Sequence, residues 1–216
     1  MDYILSITTF ILKGVIVTLK LYAVTAVFSL PIGILVAIGK VSGPKILKKI
    51  LGLYTWVLRG TPLLLQLFFV YFGLPFVPVI GIKLDVFPAA CLTFSLNYGA
   101  YLAEIFRAGI ESIDKGQYEA SKALGMTYFQ TMRRIILPQT VKVVLPPTCS
   151  EAINLVKDSA LIATIGMGDL LRNAKQVVTR DMNISAFVVA FILYLMMSSV
   201  IVKVFEKLEK KYSIYE

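Results

Sequence analysis

Apolar positions in this chain come in long blocks rather than in the short alternations of a soluble domain. Runs such as LYAVTAVFSLPIGILVAI and ISAFVVAFILYLMMSSVIV approach or exceed the eighteen or so apolar residues that argue for a membrane span. The pattern predicts five spans, at roughly 14–38, 60–77, 86–106, 136–157 and 184–204. Each is close to the ~20 residues, about 30 Å of helix, that a bilayer core demands. Backbone polar groups in lipid must be satisfied within the segment, so the expected fold is an all-α integral membrane protein, a five-helix transmembrane bundle in a single domain over 1–216. One stretch breaks the pattern: EASKALGMTYFQTMRRIILP, residues 119–138, places polar, charged and small residues between the third and fourth blocks.

Charge orients the bundle. Lys40, Lys45, Lys48, Lys49 and Arg59 cluster after the first block, Arg107, Lys115, Lys122, Arg133 and Arg134 after the third, and Lys203, Lys207, Lys210 and Lys211 at the tail. The positive-inside rule makes these three segments cytoplasmic, which puts the N-terminus outside. The formal net charge of +9 is then the signature of juxtamembrane positives lying against anionic lipid, and nucleic acid is not an expected partner. The chain has no His, which excludes His-based triads, His metal sites and imidazole relays. Cys91 and Cys149 fall inside predicted spans, where a free Cys acts as a small apolar side chain. No GxxxxGK[ST] or GxGxxG phosphate loop occurs, so the chain alone is not expected to bind or split a nucleotide. The acidic leader MDYILSITTF does not read as a removed signal peptide.

The polar break has structure of its own. Asp114, with Gln117 three residues on, is an Asp version of the capping box, and Gly125 supplies a residue able to turn left-handed. These signals predict a short helix over 115–124, within a segment of about 112–128. Ala120, Ala123 and Leu124 share one stripe, with Tyr128 beyond the Gly turn and Glu119, Lys122, Arg133 and Arg134 around it. The stripe is too weakly apolar to enter lipid but small enough for another protein's groove to approach. On the residues alone, a docking knob and a solvated or interfacial loop both remain open.

EASKALGMTYFQTMRRIILP resembles the EAA motif of ABC importer permeases, EAAxxxG, nine residues, then IxLP. Glu119, Ala120 and Gly125 match, nine residues follow, and Ile135, Leu137 and Pro138 close it; Ser121 stands where the pattern has its second Ala. RGTPLLLQLFFVYFGLP at 59–75, EIFRAGIESIDKGQYEA at 104–120 and NLVKDSALIATIG at 154–166 are similar to the polar amino acid permeases of the histidine, glutamine and arginine type. The resemblance implies that Glu119, Ala120, Ala123, Leu124 and Gly125 form a coupling helix seated on a cytoplasmic ABC ATPase dimer, with ATP and Mg held by that partner and no cofactor in this chain. It also implies a second permease copy or a similar chain, an extracytoplasmic solute-binding protein, an amino acid substrate, and a multi-pass place in the bacterial cytoplasmic (inner) membrane.

Polar residues inside spans mark a candidate substrate path, because intramembrane carboxylates are costly. Asn97, Tyr101 and Glu104 lie on one face of the third span, and Glu151, Asn154 and Asp158 on one face of the fourth. Asn97 and Glu151 fall at depths that let them face one cavity, whereas Glu104 sits beside Arg107, where a local ion pair is the better account. Gln66 adds a third wall, one turn after a break at Gly60, Thr61 and Pro62. That break reads either as a binding element of a discontinuous helix or as the bend where an interfacial helix over 45–58 enters the membrane with Arg59 toward the cytoplasm. Lys157 and Asp158 read either as a snorkelling Lys and a helix-end carboxylate or as receivers of the substrate's charged ends. The acceptors Glu151 and Asp158 favour a basic amino acid such as arginine. A membrane-embedded enzyme lacks a convergent nucleophile and base, while a self-sufficient secondary transporter or channel would leave the polar knob unexplained.

Overall fold

A computed structural model describes residues 2–78 and 81–212. Met1 and residues 213–216, the two ends of the expected single domain, lie outside the described residues, as do residues 79 and 80. The described chain is helical with no strand. Its helices are α1 (Asp2–Ser42), α2 (Lys45–Gly60), α3 (Leu63–Phe68), α4 (Val86–Glu111), α5 (Lys115–Ala123), α6 (Tyr128–Thr131), α7 (Leu137–Asp158), α8 (Leu170–Asp181) and α9 (Ser185–Tyr212). α3 continues through a wide π-type turn, Phe69–Gly73, into a 3₁₀ turn, Leu74–Phe76, and a second π turn, Met132–Ile136, joins α6 to α7.

α1 and α9 are by themselves long and apolar enough to cross a bilayer, and α2 with the Leu63–Phe76 segment makes a third span if that bent pair counts as one. α4, with 26 residues, and α7, with 22, have the length but carry too many polar groups to pass alone. Their place explains this. α4 packs on α1, α2, α3 and α7, and residues from Ala89 to Ile110 are buried along it. α9 instead turns Phe191, Leu195, Met196 and Val200 outward.

α1 runs well past the expected block of 14–38, with 41 residues or about 60 Å of helix. Its first half packs on α8 and α9 through Ile7, Ile11, Leu170, Ala174, Val177, Ala186 and Ala190. α8 had no counterpart in the sequence reading. It is amphipathic and starts on a buried cap, Asp169, whose carboxylate accepts from the Leu171 N–H at 3.1 Å and the Arg172 N–H at 3.0 Å. Burial pushes that carboxyl up, against the pull of the two backbone donors. At the far end of α8, the Arg180 guanidinium holds Asp181 down to about 2, so Asp181 stays ionised to accept from the Tyr3 hydroxyl at 2.9 Å. The helix expected over 45–58 forms as α2, in which Lys45, Lys48 and Lys49 accompany exposed Ile46, Leu53 and Trp56.

Two glycines let α1 and α4 cross closely. A Cβ on Gly33 would stand 2.7 Å from the Leu102 Cβ, and one on Gly99 would stand 2.6 Å from the Ile32 Cγ2. Small residues at such a crossing let backbones pack where lipid gives no hydrophobic drive. Gly99→Val should therefore cost about 1–3 kcal/mol through overpacking, read as a lower melting temperature in detergent. Adding Ile32→Ala should recover part of the loss; an unchanged melting temperature for Gly99→Val would mean that the helices do not cross this closely.

Candidate functional site

The polar break forms a protruding, well-capped unit. Asp114 Oδ1 accepts from the Gly116 N–H at 2.6 Å and starts α5. Gln117 does not return the bond its position suggested; its carboxamide oxygen accepts from Gln139 at 3.5 Å. Past the end of α5, Met126 N–H bonds to Ser121 O and Gly125 N–H to Lys122 O, both at 3.0 Å. This is the paired Schellman pattern, with Gly125 at φ 72°. Glu119, Ala120, Ala123, Leu124 and Gly125 are all exposed, and Leu124 reaches 81%. Ser121 points the other way, 3% exposed, its hydroxyl spent on the Gln117 carbonyl; only a small side chain fits there.

The sequence also held a signal that went unread. Thr127 and Gln130 form a reciprocal capping box, a T-x-x-Q pattern legible in the letters. It starts α6, and the chain then passes through the π turn Met132–Ile136 into α7, with Pro138 at its second position. Proline lacks an N–H, so a normal α ladder is already broken there. Tyr128 OH and Ser42 Oγ lie 2.9 Å apart, tying the knob to the end of α1.

Beside the knob, Glu104 bridges Arg107 at 2.8 Å, as expected, and also pairs with Lys40. Lys40 donates in turn to Thr55 at 2.9 Å, which joins α1, α2 and α4. No local spacing announces Lys40, because it stands 64 residues away.

Deeper in the bundle, α2 and α3 meet at a bend of 104°. The bend strands carbonyls at the end of α2, and two of the candidate residues take them up. Gln66 Nε2 donates to Leu58 O at 2.9 Å and to Thr61 O at 3.1 Å. Asn97 Nδ2 donates to Leu58 O at 2.9 Å and to Gln66 Oε1 at 3.0 Å. Asn97 is 4% exposed. Tyr101 donates to Arg59 O at 3.4 Å, and the Arg59 guanidinium stands over its ring, 5.3 Å from the centroid. The Arg59 side chain thus lies against α4.

Glu151, Asn154 and Asp158 lie on α7, which packs on α4. Asp158 accepts from the Tyr98 hydroxyl at 2.7 Å. Tyr98 was missed in the sequence, although a tyrosine hydroxyl inside a span must find a partner. Glu151 and Tyr98 also border a cavity of about 220 Å³, whose other walls include Tyr22, Leu30, Leu102 and Phe205. The arrangement places one carboxylate, Glu151, and the Tyr98 hydroxyl on the wall of a mostly apolar hollow, and Tyr98 ties that wall to Asp158.

Residues 29–213 match the family described as the binding-protein-dependent transport system inner membrane component. The chain is 45% identical over 202 residues to a Rickettsia felis protein provisionally named glutamine transport system permease protein GlnP, covering 92% of each. It is 41% identical over 203 residues to the arginine transport system permease protein ArtQ of Bacillus subtilis, covering 94% of this chain and 92% of that one. A crystal structure of an amino acid ABC transporter with histidines superposes with a TM-score of 0.87 at 34% identity, over 96% of both chains. An inward facing MetNI methionine ABC transporter shares the fold, with a TM-score of 0.74 at 21% identity over 94% of this chain and 95% of that one. A helical membrane bundle with an exposed, doubly capped helix between α4 and α7, matched over most of its length by this family, belongs to it: the chain is an inner membrane component of a binding-protein-dependent ABC transport system.

Proposed function

We propose that this chain is the permease subunit of an ATP-driven amino acid importer that takes basic or polar amino acids such as arginine. It is a transport subunit rather than an enzyme, and ATP hydrolysis belongs to a partner ATPase. The observation that carries the reading is the α5 knob, whose exposed stripe ends on a left-handed Gly125 and is held to α1 and α7. In this reading α1, the α2–α3 pair, α4, α7 and α9 supply five crossings, with the N-terminus outside and α5 in the cytoplasm. α4 and α7 tolerate their polar groups because neighbouring helices shield them.

Glu119, Ala120, Ala123, Leu124 and Gly125 meet a groove of a cytoplasmic ABC ATPase dimer that holds ATP and Mg. A second permease, identical or similar, carries the matching knob, and a solute-binding protein delivers substrate from outside. Closing the ATPase dimer brings the two knobs together and tilts α4 and α7, a two-state bundle biased by a ligand bound elsewhere. Glu151, Asn154, Asp158 and Tyr101 contact the substrate, while Asn97 and Gln66 shape the wall behind them. The names of the glutamine and arginine permease relatives support this substrate class. A self-sufficient secondary transporter is the competing reading; purification from membranes separates the two, since an ATPase accompanies the chain only in the first.

Gly125→Val puts a β-branched residue at φ 72°, a region closed to it, and Glu119→Lys reverses a charge on the docking stripe. Both variants should insert normally yet lose at least tenfold in ATP-driven uptake by proteoliposomes containing the ATPase. Uptake at the wild-type rate in either would remove α5 from the docking site.

Glu151→Gln should weaken binding of a cationic amino acid by about 2–3 kcal/mol, on the order of a hundredfold, and that of glutamine much less. Glu104→Gln strands Lys40 and Arg107, so it should cost about 3 kcal/mol of stability and leave preferences unaltered. Competition among arginine, lysine, histidine and glutamine checks both. An unchanged preference in the Glu151 variant takes that residue out of the site, and a changed one in the Glu104 variant moves the site nearer the knob.

A further inference from the structure

A second hollow, of about 840 Å³, takes no part in the site described so far. It lies between α8 and the 3₁₀ segment Ser159–Ile165 that follows α7. α8 gives it one helical face. Arg172, Lys175, Gln176, Thr179 and Arg180 recur there at i, i+3, i+4, i+7 and i+8, while Leu170, Ala174 and Val177 turn the other way into the protein. Among the described residues no Asp or Glu lines the hollow. Arg180 is paired with Asp181, but neither Arg172 nor Lys175 belongs to any of the ion pairs found among the described residues. Arg172 Nη1 is buried with no hydrogen-bond partner, beside Gly166, where a Cβ would stand 3.3 Å from it. A buried donor left unmet is costly, and an acceptor brought to it from outside removes that cost.

This hollow stands at the end of the bundle away from the α5 knob, and α1 reaches both. Ser42 meets Tyr128 of the knob, while Gly14 carries the start of α8 so closely that a Cβ there would stand 2.5 Å from the Leu170 N. Gly14 and Ser42 are separated by about 42 Å of helix, more than the ~30 Å of a hydrocarbon core. The surroundings are not those of a lipid-facing surface. Between Val143 and Met182 no large apolar side chain is exposed, whereas α9 turns out Phe191, Leu195 and Met196. The positive-inside bias also runs against cations on the outer side, so Arg172 and Lys175 need a reason to be there. A basic amino acid would be repelled by them, and a second copy of the chain facing the hollow across a two-fold axis would bring the same charges against it. An acidic partner suits both the sign and the unmet donor.

We infer that the groove between α8 and the Ser159–Ile165 segment seats an acidic segment of the extracytoplasmic solute-binding protein, whose carboxylates are received by Arg172 and Lys175. The assignment rests on the importer reading above, in which residues 159–184 lie outside, and adds where and by what chemistry the delivering protein docks. A guanidinium takes a carboxylate through parallel N–H···O bonds, and the exposed Lys175 ammonium adds a charge that steers the approach. Ala160 on the wall lies just beyond Asp158 in the chain, so the docked protein stands at the outer end of the helix that carries Glu151, Asn154 and Asp158.

The permease with its ATPase in lipid nanodiscs is titrated with the solute-binding protein, loaded with arginine or glutamine, and ATP hydrolysis is read. The concentration giving half-maximal stimulation should rise about tenfold or more in Lys175→Glu, stay near the wild-type value in Lys175→Arg, and rise with salt in the wild type. Arg172→Gln should show the same loss. Should that variant not fold, Lys175→Glu decides, because Lys175 is exposed and forms no ion pair. Hexaglutamate, a probe of the carboxylate chemistry alone, should displace the solute-binding protein from the wild type and hexalysine should not; the reverse order would mean that the partner surface is not acidic. Half-maximal stimulation of Lys175→Glu at the wild-type concentration overturns the assignment. So does a Lys175→Glu effect seen with phosphatidylglycerol in the disc and absent with phosphatidylcholine alone, which would give the groove to a lipid headgroup. A wild type that no loaded solute-binding protein stimulates overturns the importer reading and this assignment with it, whereas stimulation kept unaltered by the variants overturns this assignment alone.

Discussion

A carbonyl that leaves its helix inside an apolar slab has to be met by another part of the protein. At the end of α2 the chain turns through 104°, and Leu58 O and Thr61 O lose their helical donors. Gln66 and Asn97 meet them, which is what makes a broken helix tolerable at that depth. Much else follows from this satisfied bend. It fixes the angle between α2 and α3, it holds the backbone beside Arg59, and it consumes the two amide side chains that would otherwise be free for a ligand. Asn97 and Gln66 are therefore committed to the bend.

The parts of this fold that were legible in the sequence are those governed by near neighbours. Residues 45–58 announced a helix because lysines and large apolar side chains alternate at helical spacing there, and α2 forms over Lys45–Gly60. Asp114 and Gly125 bracketed α5 correctly, since caps act over a few residues. What was not legible depends on contacts between distant segments. Lys40 neutralises Glu104 from another helix, Tyr98 reaches Asp158 from 60 residues away, and α8 owes its stability to a buried face against α1 and α9 rather than to strong propensity. The lengths of α1 and α9 were underestimated for a related reason. Hydropathy marks where lipid is, and a helix can continue past that limit, α1 under the cover of α8 and α9 and α9 as an exposed, charged extension.

The candidate site divides along the same line. Glu151, Asn154 and Asp158 shared a face by simple periodicity, and they do lie along one side of α7. The partner of Asp158, Tyr98, comes from α4, whose placement is set by its glycine crossing with α1. Charge alone pointed to acceptors on α7; only the packing shows that the Tyr98 hydroxyl donates to one of them.

The π turn at Met132–Ile136 carries one residue more than an α-helical turn of the same kind would hold. Rewinding it to α geometry would advance all of α7 by one position, about 100° of rotation and 1.5 Å of rise, while the capped unit before it kept its own bonds. Glu151 and Asp158 would swing from the wall formed by α4 to an adjacent one. A shift of hydrogen-bond register at this turn would thus move the carboxylate face in one discrete step rather than by gradual bending.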